Sequence, residues 1–243
     1  MPTILLRADH GDRAPDVLLL EDPHLARRAA GLLDGADERS GLISDHRGLP
    51  AFRGAWAGHP VTVQSTGLGA PAMAMVVEEL LMVGARRFVR VASAMPVAPW
   101  LRAGAAVVAV AASAADGTSQ TYLGGLPLAP LADPGLASAL VDAALAAGVS
   151  VHPGGVATVD VLPDAPRLGE LAARGIMAAD LGTAPPFVLA ARADARARLA
   201  GDRVRAAAIL CIDQAAMDGT SRRHGDLPED LLRIALDALI GRR

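Results

Sequence analysis

The stretch Val61–Ala94 constrains the fold of this chain most strongly, because it reads as one complete strand–helix–strand unit. It opens with Val61–Ser65, a run rich in β-branched residues, and the glycines that follow permit a tight turn. Apolar residues then recur at helical spacing: Met73, Val76, Val77, Leu80 and Leu81. Phe88–Val91 is predicted as the second strand. Because such units place ligands outside the carboxyl ends of their strands, we expect a ligand site at Arg90 and Ser93.

Strands and helices alternate along the rest of the chain. Further strands are predicted at Asp16–Leu20, Ala105–Ala112, Ile176–Ala179 and Arg203–Ile212, with strand, glycine turn and strand over Val149–Leu162. Helices are predicted from Pro23 and at Leu136–Ala147, Leu168–Ala173, Phe187–Ala197 and Leu227–Ile240, and loops at Leu42–Phe52 and Asp116–Tyr122. The alternation predicts an α/β fold with a mostly parallel or mixed sheet, in a single domain over residues 1–243.

Composition excludes several classes of protein. The 243 residues carry a net charge of only −3, which gives no electrostatic footprint for nucleic acid. No apolar run reaches the length of a membrane span or of a secretory signal, and a single cysteine, Cys211, cannot form an internal disulfide. We therefore expect a cytoplasmic protein without a membrane partner. The scattered histidines do not have the spacing of a helical metal site, so no metal is expected.

Three polar residues stand out in apolar surroundings. Arg90 lies within an apolar strand, where a charge is costly unless it is paired or binds an anion, and both explanations stay open. Ser93 follows it and can donate to the same anion. Asp213 ends an apolar strand and is on position alone as well suited to a helix cap as to a general acid. The glycine turn lacks a full dinucleotide fingerprint, so no nucleotide cofactor is expected.

Several separated segments carry a resemblance to a known family, in order and with nearly unbroken spacing. Ser65–Gly69 has the form Ser-Thr-Gly-x-Gly, and Arg90–Ser93 is similar to an Arg-x-Gly-Ser/Thr strand end. The other segments are Gly11–Leu33, His46–Gly58, Asp116–Tyr122 and the strand that ends at Asp213. Together they resemble the nucleoside phosphorylase family of hexameric purine nucleoside phosphorylases and uridine phosphorylases. The resemblance implies a three-layer αβα fold with a central mixed β-sheet.

The resemblance also implies a reaction, in which phosphate attacks the anomeric carbon of a nucleoside and the base departs. Four residues match phosphate-site positions: Arg47, Gly67, Arg90 and Ser93. Arg47 would act across a subunit interface, so a homo-oligomer, a dimer or a trimer of dimers, is expected. Asp213 matches the acid that protonates a purine base, and Arg223 lies near the position that assists it. Inorganic phosphate would be a co-substrate, and no cofactor is implied.

The chain departs from the family's pattern at residues that carry the chemistry. Where the family has Gly-Asp-Pro-x-Arg, this chain has Glu21 for the glycine and Leu25 for the arginine. A carboxylate there would repel phosphate by an amount on the order of a few kcal/mol. The Glu-Met-Glu ribose motif appears as Asp180-Leu181-Gly182, which lacks one carboxylate. The remaining positions are Leu5 for a histidine, Ala92 for a glycine, Ala157 for the aromatic that stacks on the base, and Arg167 near a base-contacting arginine.

These departures leave three hypotheses for function. The first is a nucleoside phosphorylase-like enzyme that cleaves the N-glycosidic bond of a purine-type or modified nucleoside with phosphate. The second is altered chemistry, such as nucleoside hydrolysis, in which Glu21 positions or deprotonates a water and Asp213 acts as the acid. The third is a descendant that only binds or assembles. With Ala157 and Gly182 in place of larger or charged residues, the pocket is expected to be larger and less polar than the family's.

Overall fold

The computed structural model of the chain describes residues 2–35, 41–196, 203–213 and 227–241. The strands within these ranges are β1 (Asp16–Leu20), β2 (Leu42–Ser44), β3 (Ala51–Trp56), β4 (His59–Ser65), β5 (Arg87–Pro96), β6 (Ala106–Ala115), β7 (Val151–Val159), β8 (Ile176–Asp180) and β9 (Arg205–Ile212). The helices are α1 (Pro23–Ala30), α2 (Ala70–Met82), α3 (Gly117–Leu123), α4 (Pro134–Ala146), α5 (Ala165–Ala172), α6 (Ala184–Asp194) and α7 (Glu229–Ile240). No helix in these ranges is long and apolar enough to cross a bilayer.

All of these strands belong to one mixed sheet, in the order β2-β3-β4-β1-β5-β8-β7-β6-β9. Strand β9 also pairs with β5, so β5 to β9 close into a ring while β1 to β4 extend from it as an open sheet. Strand β1 pairs in parallel with β4 and with β5, and β5 also pairs in parallel with β9. Strand β8 runs antiparallel to β5. The predicted mixed sheet is thus confirmed.

Helices cover the sheet in two groups, which gives the three layers. Helix α4 packs against α7, and α1 and α7 both contact β1 and β3. Helices α2 and α3 pack against α6, which contacts β6 and β9. Helix α5 lies against β8. The predicted three-layer αβα fold is therefore confirmed, with an apolar core between the helices and the sheet.

Three segments differ from the sequence prediction. Leu42–Phe52, predicted as a loop, contains β2, a 3-10 turn and the start of β3, because β3 pairs with β4 through a tight hairpin. The polar segment Asp116–Tyr122 is mostly helical, since the Asp116 side chain accepts a hydrogen bond from the Ser119 backbone N–H and starts α3. Within Val149–Leu162 there is a single strand, β7 (Val151–Val159), in which a register shift rather than a turn accommodates the glycines.

Strand β5 is longer than predicted and therefore places Arg90 differently. It extends six residues beyond Arg90, to Pro96, because its second half pairs with β8 and β9. Arg90 thus lies inside β5 rather than at its carboxyl end. It is nevertheless opposite Leu19, next to the residue at which β1 ends. Arg90 therefore lies beside the carboxyl end of β1, whereas the sequence predicted that it lies at the carboxyl end of β5.

A carboxylate on α2 holds the N-terminal segment. Glu79 Oε1 accepts hydrogen bonds from the backbone N–H groups of Ile4 at 3.1 Å and Leu5 at 2.7 Å, and Oε2 accepts one from Leu6 at 2.7 Å. Partial burial opposes ionisation, but these donors together with the Thr3 hydroxyl hold the pKa of Glu79 below its ordinary value. The ionised form of Glu79 therefore stabilises the fold.

Glu79→Ala is expected to lower the free energy of unfolding by about 2 kcal/mol at neutral pH, because three hydrogen bonds to a charged group are lost. The stabilisation is complete above the ordinary pKa of 4.5 and is lost as pH falls through the lower folded-state pKa. Urea unfolding between pH 3 and 7 measures both effects. The control is Glu170→Ala, whose ion pair with Arg167 is more than half exposed, so about 0.5 kcal/mol or less is expected. Equal losses in both variants would contradict the prediction.

Candidate functional site

Glu21 lies at the junction between β1 and α1. The next residue, Asp22, caps α1 by accepting a hydrogen bond from the His24 backbone N–H at 2.7 Å, and Pro23 occupies the first turn. The backbone N–H of Thr66 donates to the Leu20 carbonyl at 2.8 Å and ties this junction to the end of β4. Glu21 is therefore fixed at the carboxyl edge of two parallel strands, with its side chain 18% exposed.

Arg90 is almost fully buried in β5, and one of its nitrogens carries two ion pairs. Its Nη2 donates a hydrogen bond to Glu21 Oε2 at 3.0 Å and lies 3.0 Å from Asp180 Oδ2. The sequence left open whether Arg90 binds an anion or forms a salt bridge; the structure shows the salt bridge. Two carboxylates explain how a guanidinium is tolerated in an apolar strand.

Asp180 is held rigidly by a network of hydroxyl and backbone donors. Its Oδ1 accepts hydrogen bonds from Thr158 Oγ1 at 3.0 Å and from the Thr183 backbone N–H at 3.3 Å. Its Oδ2 accepts from Thr183 Oγ1 at 2.7 Å and from the Gly182 backbone N–H at 3.2 Å. This network keeps the carboxylate aimed at Arg90. Sequence reasoning missed Thr158 and Thr183, although the pattern Asp-x-Gly-Thr before a helix is a signal for such a turn.

The antiparallel pairing of β8 with β5 brings Asp180 to Arg90. Met95 is opposite Ala179 and Pro96 is opposite Ala178, so β8 runs antiparallel to β5 and its last residue, Asp180, lies on the side of Met95 that is toward Arg90. Gly182 follows this end. A Cβ built on it would lie 3.1 Å from Arg90 Nη2. Glu21, Arg90, Asp180 and Gly182 thus form one cluster, which we call the Arg90 cluster.

The glycine turn before α2 has the predicted form. Gly67 and Gly69 have φ values of 74° and 92°, a backbone conformation that residues with a side chain rarely adopt. Ser93 is partly exposed in β5, and its hydroxyl makes no hydrogen bond within the described part of the chain. Both positions are thus open to a ligand at this edge of the sheet, and their phosphate contacts stay predictions.

Asp213 follows β9 directly, as predicted. Its backbone N–H donates to the Ala94 carbonyl at 3.0 Å, which fixes it beside β5. Three residues of β5 lie between Arg90 and Ala94, so the two positions are about 13 Å apart along an extended strand. Arg223, which is expected to assist Asp213 in protonating the base, lies outside the described residues.

None of the other predicted site residues forms an ion pair with the Arg90 cluster within the described residues. Arg47 is exposed in the 3-10 turn, with φ of 59°, and makes no contact with the cluster within the described residues. Arg167 pairs with Glu170 on the surface of α5. Ala157 is buried in a small apolar group against which Leu181 packs. Leu25, at the family's arginine position, is buried in the core under α1.

The electrostatics of the Arg90 cluster differ from those of an anion site. Two carboxylates around one guanidinium give a net formal charge of −1. The Nε and Nη1 atoms of Arg90 are buried and have no acceptor among the described residues. Their N–H groups suit a neutral acceptor, because the charge of Arg90 is already balanced. The described residues contain no group of side chains suited to hold a metal ion.

Comparison with known proteins identifies the family of this chain. The family profile described as the phosphorylase superfamily matches residues 17–237. The chain belongs to the phosphorylase superfamily. A DeoD-type purine nucleoside phosphorylase from Roseobacter denitrificans is 31% identical over 243 residues, covering 97% of this chain and 98% of the relative. A second protein of that name, from Jannaschia sp., is 33% identical over 198 residues, 80% of this chain and 83% of the relative.

Uridine phosphorylases are also similar to this superfamily member. The one from Thermococcus kodakarensis is 37% identical over 150 residues, which cover 62% of this chain and 52% of that protein. A crystal structure of uridine phosphorylase from Vibrio fischeri superposes with a TM-score of 0.82 at 24% identity, covering 97% of this chain and 96% of that one. The second comparison shows the shared fold. The predicted family is confirmed.

Proposed function

We propose that the chain cleaves the N-glycosidic bond of a nucleoside and uses water rather than phosphate as the ribosyl acceptor. The observation that carries the proposal is the double ion pair of Arg90. At the position where the resemblance implies a phosphate ligand, Nη2 is already engaged by Glu21 and Asp180. A phosphate dianion would have to displace a carboxylate and approach a second one, which costs on the order of several kcal/mol in a partly buried site.

The same charges favour a transition state with cationic character. Glycoside cleavage passes through an oxocarbenium-like state, and nearby carboxylates stabilise positive charge on the sugar. In the proposed step, the bond between the anomeric carbon and the glycosidic nitrogen breaks, its electron pair goes to the base, and Asp213 gives a proton to a ring nitrogen of that base. A water oxygen bonds to the anomeric carbon, and a carboxylate takes up the water proton, for which Glu21 is placed. The products are the free base and ribose.

Phosphorolysis is the second candidate. It is supported by the names of the purine nucleoside and uridine phosphorylases that the chain resembles. The glycine turn at Gly67 and Gly69, with its backbone N–H groups, is also compatible with an anion. For this reaction Glu21 would have to swing away from Arg90.

A nucleoside panel with and without phosphate separates the two candidates. We expect base release, followed by the ultraviolet spectrum, at the same rate in phosphate-free buffer and with phosphate at constant ionic strength. The sugar product should be ribose, and ¹⁸O-labelled water should place one label on the anomeric oxygen. Release that requires phosphate and yields ribose 1-phosphate would replace hydrolysis by phosphorolysis. Absence of release from every nucleoside would overturn both candidates.

A further inference from the structure

Arg90 leaves little room for a side chain at residue 182. A Cβ on Gly182 would lie 3.1 Å from Arg90 Nη2, which is closer than most real Cβ contacts, and 3.4 Å from Nε, so the guanidinium would have to shift by a few tenths of an ångström. The Gly182 backbone is outside the left-handed region, so space rather than backbone conformation is the obstacle. The Nη2 atom donates a hydrogen bond to Glu21 Oε2 and lies 3.0 Å from Asp180 Oδ2. A side chain on residue 182 would therefore press on a nitrogen that two carboxylates already hold in place.

The two carboxylates around Arg90 are not equivalent. The side chain of Asp180 is 1% exposed and is fixed by the two threonines, whereas the side chain of Glu21 is 18% exposed. Glu21 is thus the member of the Arg90 cluster that faces an approaching ligand. Removing it would leave the buried guanidinium with one carboxylate and an open side.

We propose that residues 21 and 182 form a coupled pair that carries one carboxylate, and that its location on Glu21 excludes phosphate from Arg90. The consequence that water becomes the acceptor rests on the proposed function, but the exclusion of phosphate does not. The family pattern that the chain resembles has the reverse arrangement, with glycine at the position of Glu21 and glutamate at the position of Gly182. Glu21 binds Arg90 Nη2, and a Cβ on residue 182 would lie 3.1 Å from the same nitrogen. Moving the carboxylate from one position to the other therefore keeps the charge around Arg90 and changes which side is open.

Phosphate binding tests the exclusion. Inorganic phosphate is titrated by calorimetry into the wild-type chain, Glu21→Gly and Glu21→Gln at fixed ionic strength. We expect Glu21→Gly to bind phosphate at least about tenfold more tightly than the wild type, because a buried arginine donor is released and a like charge is lost. Glu21→Gln keeps the size of the side chain and should therefore gain less phosphate affinity than Glu21→Gly. If Glu21→Gly binds phosphate no more tightly than the wild type, the exclusion is wrong.

Thermal unfolding tests the coupling. Gly182→Ala and Gly182→Glu are each made alone and together with Glu21→Gly. We expect both single variants at residue 182 to lower Tm, with Gly182→Glu the worse, and Glu21→Gly/Gly182→Glu to recover most of the loss. If Gly182→Glu does not fold, recovery of a folded double variant gives the same answer. Losses in the double variants that equal the sums of the single losses would overturn the coupling.

These readouts are independent of the proposed reaction. A wild-type chain that releases no base overturns the proposed function, while the phosphate and Tm measurements still decide the coupled pair. Suppose that the wild type releases base without phosphate but Glu21→Gly binds phosphate no more tightly than the wild type. This result would support hydrolysis and overturn the claim that Glu21 excludes phosphate.

Discussion

Arg90→Met is expected to lower the free energy of unfolding by about 3–5 kcal/mol, the loss typical of removing one partner from a buried ion pair. Methionine fills most of the volume of the arginine stem, so the loss reports charge rather than a cavity. The variant leaves Asp180 buried beside Glu21 with no cation between them. The hydroxyl and backbone groups that donate hydrogen bonds to Asp180 remain, which is why the loss is not larger.

Urea unfolding at pH 7 measures this loss, and Arg87→Met is the matched control. Arg87 lies in the same strand and pairs with Asp16, whose side chain is 12% exposed, but the Arg87 side chain is 35% exposed, so a smaller loss of about 1–2 kcal/mol is expected. Adding Glu21→Gln to Arg90→Met removes one of the two repelling charges and should recover part of the loss. A loss in Arg90→Met no larger than in Arg87→Met would show that the cluster does not stabilise the fold.

The strand–helix–strand unit can be read from the sequence because its signals are local. Helical spacing from Met73 to Leu80, the glycine turn and the β-branched strand each depend on neighbouring residues only, and the structure has α2 and β4 where they indicate. Segments that form strands only through pairing with distant parts of the chain are harder to predict. Leu42–Ser44 forms a strand only because it pairs with β3, a partner that no local pattern announces.

The partners of Arg90 show where prediction from the sequence ends. That a buried arginine needs a counter-charge follows from its apolar strand. Which carboxylate supplies it depends on the direction of β8, and only the antiparallel pairing with β5 carries Asp180 alongside Arg90. The family resemblance therefore points to the residues of the cluster and implies a phosphate at Arg90, whereas Glu21 as a partner of Nη2 becomes visible only in the structure.

Asp213→Asn is expected to lower the rate of base release about 10²- to 10⁴-fold, the range for loss of a general acid. Asparagine keeps the size and the backbone hydrogen bond to Ala94 but cannot give a proton to the departing base. The rate is measured in single turnovers on the most reactive nucleoside of the panel, and Tm is measured alongside it to distinguish a loss of chemistry from a loss of stability.

The control is Asp142→Asn, an exposed carboxylate on α4, which should leave the rate unchanged. A substrate with a better leaving base adds a second test. Because such a base needs less protonation, the deficit of Asp213→Asn should shrink as the leaving group improves. A deficit of the same size for every base would show that Asp213 positions the substrate, and an unchanged rate would show that the base leaves without a proton from this residue.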